Sequence, residues 1–485
     1  MKDVDVTKYF KPNLKDARRR TRNETSQESF QIEEKHLNIG YGKKYYIQTY
    51  GCQGNEADSE MMAGILKKMD FTKAESFDES DIIILNTCAI RENAEHKVWG
   101  TLGRFKELKR NNPDLILVVA GCMSQEEVVV ERILKTYTHV DIILGTHNIH
   151  KLADYIETAM YAKERVIEVY SKEGSIVENI PKVRAHKYKA WVNIMFGCNE
   201  FCTYCIVPYT RGKERSRLKD EIINEVKELV ANGYQEVTLL GQNVNAYGLD
   251  FTDIEYTFGD LLKDLNDTGI ARIRFTTSHP HDIDLKTMEA MRDCEHVMPH
   301  FHLPVQSGSN AVIKKMNRRY TKESYLNVLS DLREHVPGIS VTTDIIVGFP
   351  SETDQDFLET IDLVEKAQFE GAFTFIFSAR AGTPAANFPD DTPLDIKKQR
   401  LYKLNELINA GYLKGNERFL DKVVNVLVDG KSKYDDNVLS GYTEHNKLVN
   451  FKGDESLIGK IVPVKITIAK TWFLMGELIW MLKKK

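Results

Sequence analysis

From Lys43 onward, short β-rich apolar runs alternate with amphipathic stretches of helical length. Residues 45–50, 81–85, 115–120 and 141–144 are such runs, and helix-length segments such as 91–110 follow them. Strands separated by helical periods predict a parallel α/β domain over 43–165. Met61, Met62, Ile65, Leu66 and Met69 recur at helical spacing and are expected to face its core. A polar stretch over 166–189, carrying Pro181, reads as a linker. A second series fills 190–421, with strands near 190–195, 236–240, 272–276, 300–305, 341–347 and 372–377 and helices that include 285–292, 322–335 and 356–369. Six repeats are too few for a closed eightfold barrel and predict an open, partial (β/α)6 barrel. Over 422–485 the period changes to five short strands punctuated by glycine, at 423–428, 438–441, 448–451, 462–469 and 474–479, which predict a small β-barrel of OB-like kind. Residues 1–42 show no apolar period and read as a basic, flexible tail.

The 485 residues suit about three domains at roughly 150 residues each. With 42% hydrophobic and 28% charged residues, a wholly disordered or fibrous chain is excluded. Against 66 Lys and Arg stand 71 Asp and Glu, so a basic surface for nucleic acid has to be local. Two candidates exist. Between residues 8 and 22, Lys8, Lys11, Lys15, Arg18, Arg19, Arg20 and Arg22 face only Asp16, in a tail that is either a solvated leader or one that touches RNA phosphates; residues 422–485 hold eleven Lys and Arg against seven Asp and Glu. Lys431, Lys433, Lys447 and Lys452 are the expected phosphate contacts of that last segment. The apolar runs fall short of the ~18 residues of a spanning helix, and the start has no apolar leader, so a reducing cytoplasm and no membrane are expected. In that compartment seven cysteines call for chemistry other than disulfides.

Six of them fall in two sets. Tyr50-Gly51-Cys52, Thr87-Cys88 and Gly121-Cys122 each follow a strand, and the carboxyl ends of parallel strands carry ligand sites, so these distant thiols should converge on one edge. Cys198-Asn199-Glu200-Phe201-Cys202-Thr203-Tyr204-Cys205 is a CxxxCxxC immediately after the first barrel strand. Three thiolates on one tight loop suit three corners of a cubane iron–sulfur cluster, the alternative being a zinc knuckle with a distant fourth ligand. The open iron of such a cluster can chelate S-adenosylmethionine and pass an electron into its sulfonium. Polar groups at the barrel mouth are candidates for that cofactor: Gln242 and Asn243 after the second strand, Gln306 and Ser307 after the fourth, Asp344 on the fifth and Arg380 after the sixth. Each reads equally as a loop cap or packing residue. His279, His281, His300 and His302 read as core or cavity-lining residues, and Cys294 as a plain buried thiol.

At these residues the chain resembles the radical SAM superfamily and, within it, the methylthiotransferases of the MiaB type. The similarity is carried by Gly197 to Arg217, including Val207-Pro208-Tyr209-Thr210-Arg211-Gly212-Lys213-Glu214-Arg215-Ser216-Arg217. Three N-terminal blocks add to it: Gln48-Thr49-Tyr50-Gly51-Cys52-Gln53-Gly54-Asn55, Asn86-Thr87-Cys88-Ala89-Ile90-Arg91-Glu92 and Gly121-Cys122-Met123. The resemblance implies two [4Fe–4S] clusters, the radical-generating one on Cys198, Cys202 and Cys205 and an auxiliary one on Cys52, Cys88 and Cys122. It implies two uses of S-adenosylmethionine, one to methylate a sulfur and one to yield the radical that takes hydrogen from C2 of an adenine. The substrate implied is isopentenyladenosine beside the anticodon, in a tRNA stem-loop where unstacking a base costs only a few kcal/mol. A flavodoxin- or ferredoxin-like electron donor, a monomeric state and a terminal RNA-binding TRAM module are implied too. Gly54 stands where methionine is more usual and Tyr442 where arginine is common. Sister enzymes acting on threonylcarbamoyladenosine in tRNA or on a ribosomal-protein aspartate share both triads, and a non-catalytic iron–sulfur RNA-binding protein is the reading from a different class.

Overall fold

The computed structural model describes residues 13–21, 25–89, 92–169, 174–433 and 435–479. Near the N-terminus lies a six-stranded parallel sheet. Its order is Thr72–Lys73, Lys44–Tyr50, Ile82–Thr87, Ile116–Gly121, Ile142–Leu144 and Val166–Glu168. Ile82–Thr87 and Ile116–Gly121 are buried along their whole length, as continuous apolar strands covered on both faces must be. The helix Gln53–Lys68 covers one face with Met62, Ile65 and Leu66, and Glu92–Asn111 the other with Val98, Leu102 and Phe105.

Two sequence expectations change here. The sheet runs on through Val166–Glu168, inside the stretch read as linker, and farther along that stretch Ile176–Glu178 pairs in parallel with Gln27–Ser29 from the supposed tail. Strands of three residues are too short to show a period. The tail also forms a helix, Leu14–Arg20, whose first N–H groups are received by the Asn13 side chain at 3.0 and 3.2 Å. Its buried contacts are Ala17 and Arg20, so no apolar stripe announces it. Lys8, Lys11 and Arg22 lie outside the described residues.

The central strands form two parallel halves, Arg272–Phe275, Glu236–Leu240 and Lys189–Asn193 in one and His300–His302, Ser340–Val347 and Ala372–Ile376 in the other. An Ile273–Val297 bridge links the halves, giving the open six-stranded barrel. One apolar core runs through it, from Val192 and Leu239 to Phe301, Val341 and Leu363.

The C-terminal strands Val423–Lys431, Val438–Thr443, Leu448–Lys452, Leu474–Leu478 and Ile461–Ala469 close, in that order, into a barrel. It is fastened to the central domain by buried arginines. Arg272, 1% exposed, donates to the carbonyls of Tyr442 and Asn425 at 2.8 Å, and Arg274 to those of Thr443 and Glu444 at 2.6 and 3.1 Å. Lys447, expected to meet phosphate, is instead buried and ion-paired with Glu370 at 2.9 Å, and Lys431 pairs with Glu455 at 2.7 Å. Among the described residues no helix is long and apolar enough to cross a membrane.

Candidate active site

The CxxxCxxC loop is the excursion between two short antiparallel strands, Met195–Phe196 and Arg215–Ser216. Gly197 opens it at φ +78°, where a Cβ would stand 1.9 Å from the Lys213 carbonyl oxygen, so only glycine fits. Cys198 N–H donates to the Gly212 carbonyl at 3.1 Å, and Asn199 and Glu214 exchange bonds at 3.0 and 3.2 Å. Cys205 N–H turns back to the Cys202 carbonyl at 3.0 Å. From the loop after the helix Asn310–Lys315, Asn317 donates to the Phe201 carbonyl at 3.0 Å and Arg318 reaches the Cys202 sulfur at 3.4 Å. Burial, aided by Glu214 and the neighbouring thiols, pushes the Cys198 thiol well up, and burial pushes Cys205 up to about 12. Three thiols on one tight loop, two buried and Cys205 half-buried, with a guanidinium beside them, are a donor set that a soft cation completes.

The other triad is assembled by sheet register. Tyr50 pairs with Thr87 and Thr87 with Gly121, so Cys52, Cys88 and Cys122 leave three adjacent strand ends, with neighbouring strands ~4.8 Å apart. Asn55 and Asn86 lock the first loop to the second strand: Asn86 donates to the Asn55 carbonyl at 2.7 Å, and Asn55 to the Thr87 carbonyl at 3.1 Å. Gly121 has φ +97°, and a Cβ there would meet Asn86 Oδ1 and the Thr87 carbonyl oxygen at 2.4 Å. Burial pushes Cys122 up to about 12, with Arg211 acting in the opposite sense. A Cβ on Gly54 would lie 3.5 Å from the Cys52 sulfur, so glycine here leaves open space beside that thiol.

The loops that carry the two triads meet across the domain boundary. Arg211, buried, leaves the end of the first loop, crosses between domains, pairs with Asp58 at 2.7 Å and donates from Nε to the Cys122 sulfur at 3.2 Å. Cys122, Ala89, Ile206, Tyr209 and Ala17 form a single apolar cluster there, with Phe201 against it.

At the barrel mouth Gln242 accepts from Gly197 N–H at 2.5 Å, and so holds the cysteine loop. Asn243 donates to Asp282 at 2.6 Å. Gln306, at φ +67°, is buried, and Asp344 lies 3.4 Å from His302 Nε2. Ser307 is given to the turn: it faces Thr360 at 3.4 Å and receives Ser309 N–H at 3.2 Å. Arg380 is half-buried and acts on Glu126 of the N-terminal domain. His279 stands 3.3 Å from Glu200, which also pairs with Arg319, and burial lowers it to about 2. Cys294 is buried in the barrel core, away from both triads. Asn243 Oδ1, both amide atoms of Asn245, Ser278 Oγ and Gln306 Oε1 are buried without hydrogen-bond partners among the described residues. Orphaned polar atoms gathered at a strand-end mouth fit a small zwitterionic ligand. Sequence reading missed Asn245 and Ser278, which continue the segments after the second and third strands. It also missed Arg318 and Asp58, whose roles depend on contacts distant in sequence.

Comparison with known proteins agrees with this geometry. The Radical SAM superfamily matches residues 192–364, the TRAM domain 417–479, and Uncharacterized protein family UPF0004 residues 44–145. A radical S-adenosylmethionine methyltransferase from Kitasatospora setae, TsrM, solved with cobalamin and a [4Fe-4S] cluster, has a similar fold. Its TM-score is 0.53 at 12% identity, covering 71% of this chain and 77% of that one. The fold and the cysteine loop thus define a radical SAM protein. A protein of Oceanobacillus iheyensis is 56% identical over 482 residues, covering 98% of this chain and 93% of its own, and one of Bacillus cereus is 54% identical over 483 residues, covering 98% and 95%. Both are named tRNA-2-methylthio-N(6)-dimethylallyladenosine synthase, and this chain belongs to that family, the MiaB-type radical SAM methylthiotransferases.

Proposed function

We propose that this enzyme uses S-adenosylmethionine to place a methylthio group on C2 of isopentenyladenosine next to the anticodon of tRNA. The observation that carries the reading is the pair of cysteine triads whose loops pack against each other, joined by Arg211 between Asp58 and Cys122. Cys198, Cys202 and Cys205 would hold one [4Fe–4S] cluster and Cys52, Cys88 and Cys122 a second. Bound there, the first cluster with S-adenosylmethionine would supply one-electron chemistry able to break an aromatic C–H bond, and the second would hold the sulfur that is methylated.

The chain's own residues orient and shield. Arg318 and Arg211 donate to Cys202 and Cys122, which lowers the cost of buried negative charge on sulfur and fixes each side chain. Gln242 holds Gly197, and with it the start of the cysteine loop. Asn243, Asn245, Ser278 and Gln306 offer the donors and acceptors for the cofactor. Ile206, Tyr209 and Ala89 exclude water from the space between the triads. A flavodoxin- or ferredoxin-like protein supplies electrons, the enzyme acts as a monomer in the cytoplasm, and the terminal barrel contributes to tRNA binding. Nucleoside mass spectrometry of tRNA from cells lacking the protein tests this. The methylthiolated nucleoside should vanish while isopentenyladenosine accumulates. An unchanged nucleoside profile, or a loss confined to threonylcarbamoyl derivatives, would overturn it.

A further inference from the structure

The helix Leu14–Arg20 sits where neither cluster chemistry nor the barrel mouth calls for it. Ala17, 3% exposed, is buried in one cluster with Cys122 and Ala89 of the N-terminal domain and Ile206 and Tyr209 of the cysteine loop. Arg18 lies over the ring of Phe201, between Cys198 and Cys202, at 5.7 Å. The helix therefore packs across the contact between the loops that carry the two triads. Its outward face carries Lys15, Arg18 and Arg19 against Asp16 alone, all exposed. Across the loop, Lys314 and Lys315 are exposed in the last turn of Asn310–Lys315, beside the Met316 carbonyl that receives Thr203 N–H. On a chain of net charge −5, exposed cations on both sides of the CxxxCxxC loop form a local basic patch.

We infer that Leu14–Arg20 is a phosphate clamp, with Lys15, Arg18 and Arg19 gripping the single-stranded RNA backbone on either side of the target adenosine. This rests on the tRNA reading above. A base brought to the cysteine loops leaves its flanking phosphates at the surface, where these three exposed cations stand. Ala17 lets the helix lie close to the cysteine loops, and the half-buried Phe201 offers a ring face beside the RNA path.

The test is binding of an anticodon stem-loop RNA carrying isopentenyladenosine, followed by fluorescence anisotropy between about 50 and 200 mM salt. The holoenzyme is compared with a Lys15→Ala/Arg18→Ala/Arg19→Ala variant. A control, Lys67→Ala/Lys68→Ala/Lys73→Ala, removes the same charge at exposed positions far along the N-terminal domain. Melting temperature and iron content verify that each variant is folded. The clamp variant should lose at least about tenfold in affinity, and its plot of log affinity against log salt should flatten by about 2, at ~0.7 per single-strand phosphate contact. The control should keep the parent's slope. Equal affinity and slope in the clamp variant, an equal loss in the control, or tighter binding in the clamp variant, as expected of a helix that blocks access to the cysteine loops, would each overturn the clamp alone. A holoenzyme that binds no stem-loop RNA would overturn the tRNA reading and the clamp together.

Discussion

The two cysteine triads are assembled by opposite constructions. Cys198, Cys202 and Cys205 lie within eight residues on one loop, and local bonds such as Cys205 N–H to the Cys202 carbonyl set their spacing. Cys52, Cys88 and Cys122 span 71 residues and meet only when three strands pair in register. A contiguous site stands or falls with one turn, whereas a distributed site depends on the order of the whole sheet. The first should bind metal as soon as its loop forms, and the second only in the folded domain.

The largest effects come from removing ligands. Cys202→Ala should abolish reductive cleavage of S-adenosylmethionine and, with it, product. Cys88→Ala should leave cleavage intact and abolish methylthiolation. Chromatographic assay of 5′-deoxyadenosine alongside modified RNA reads both, and a Cys88→Ala enzyme that still methylthiolates would end the assignment of separate roles. Gly121→Val strikes the distributed site through the backbone, since its Cβ has no room at 2.4 Å from the Thr87 carbonyl oxygen. Reconstituted iron should fall from about eight to about four per chain while cleavage persists. If all iron is lost, the triads are not independent.

Arg211→Lys keeps the positive charge but removes the Nε donation to Cys122 and the forked grip on Asp58. Methylthiolation should drop roughly tenfold or more, with cleavage little changed. The smallest effect concerns pH. Glu214, beside the first triad, is raised to about 7 by burial, and burial is only partly opposed by Asn199 N–H. Its neutral form fits the fold better, so that stability is complete below about pH 4.5 and is lost as pH rises through about 7. Glu214→Gln should therefore gain on the parent apoprotein as pH climbs from 5 to 8, by at most on the order of 3 kcal/mol, read from denaturant midpoints. A constant difference across that range would refute the buried neutral carboxyl.

What the sequence disclosed follows the same division. The CxxxCxxC loop, the strand-end cysteines and the six central strands were legible because each rests on a motif or a period a few residues long. The pairing of Gln27–Ser29 with Ile176–Glu178 was not legible, nor was the reach of Arg211 to Asp58, because nothing local records a partner about 150 residues away. Leu14–Arg20 hid for a related reason: one alanine makes its apolar contact. Lys447 looked like a surface cation by residue type, and only the packing against Glu370 reveals otherwise.

Arg272 and Arg274, which spend their guanidinium groups on four carbonyls of the terminal barrel, decide how the molecule fails. Pulling the barrel away takes four acceptors from the two guanidinium groups and uncovers the face they bind, a cost on the order of several kcal/mol against a typical domain stability of about 5–15 kcal/mol. Truncation at residue 422 should therefore disturb the central domain as well as remove the terminal barrel. The grip and the radical source should be lost in a single cooperative transition. A copy that loses the barrel is then expected to lose the radical source with it.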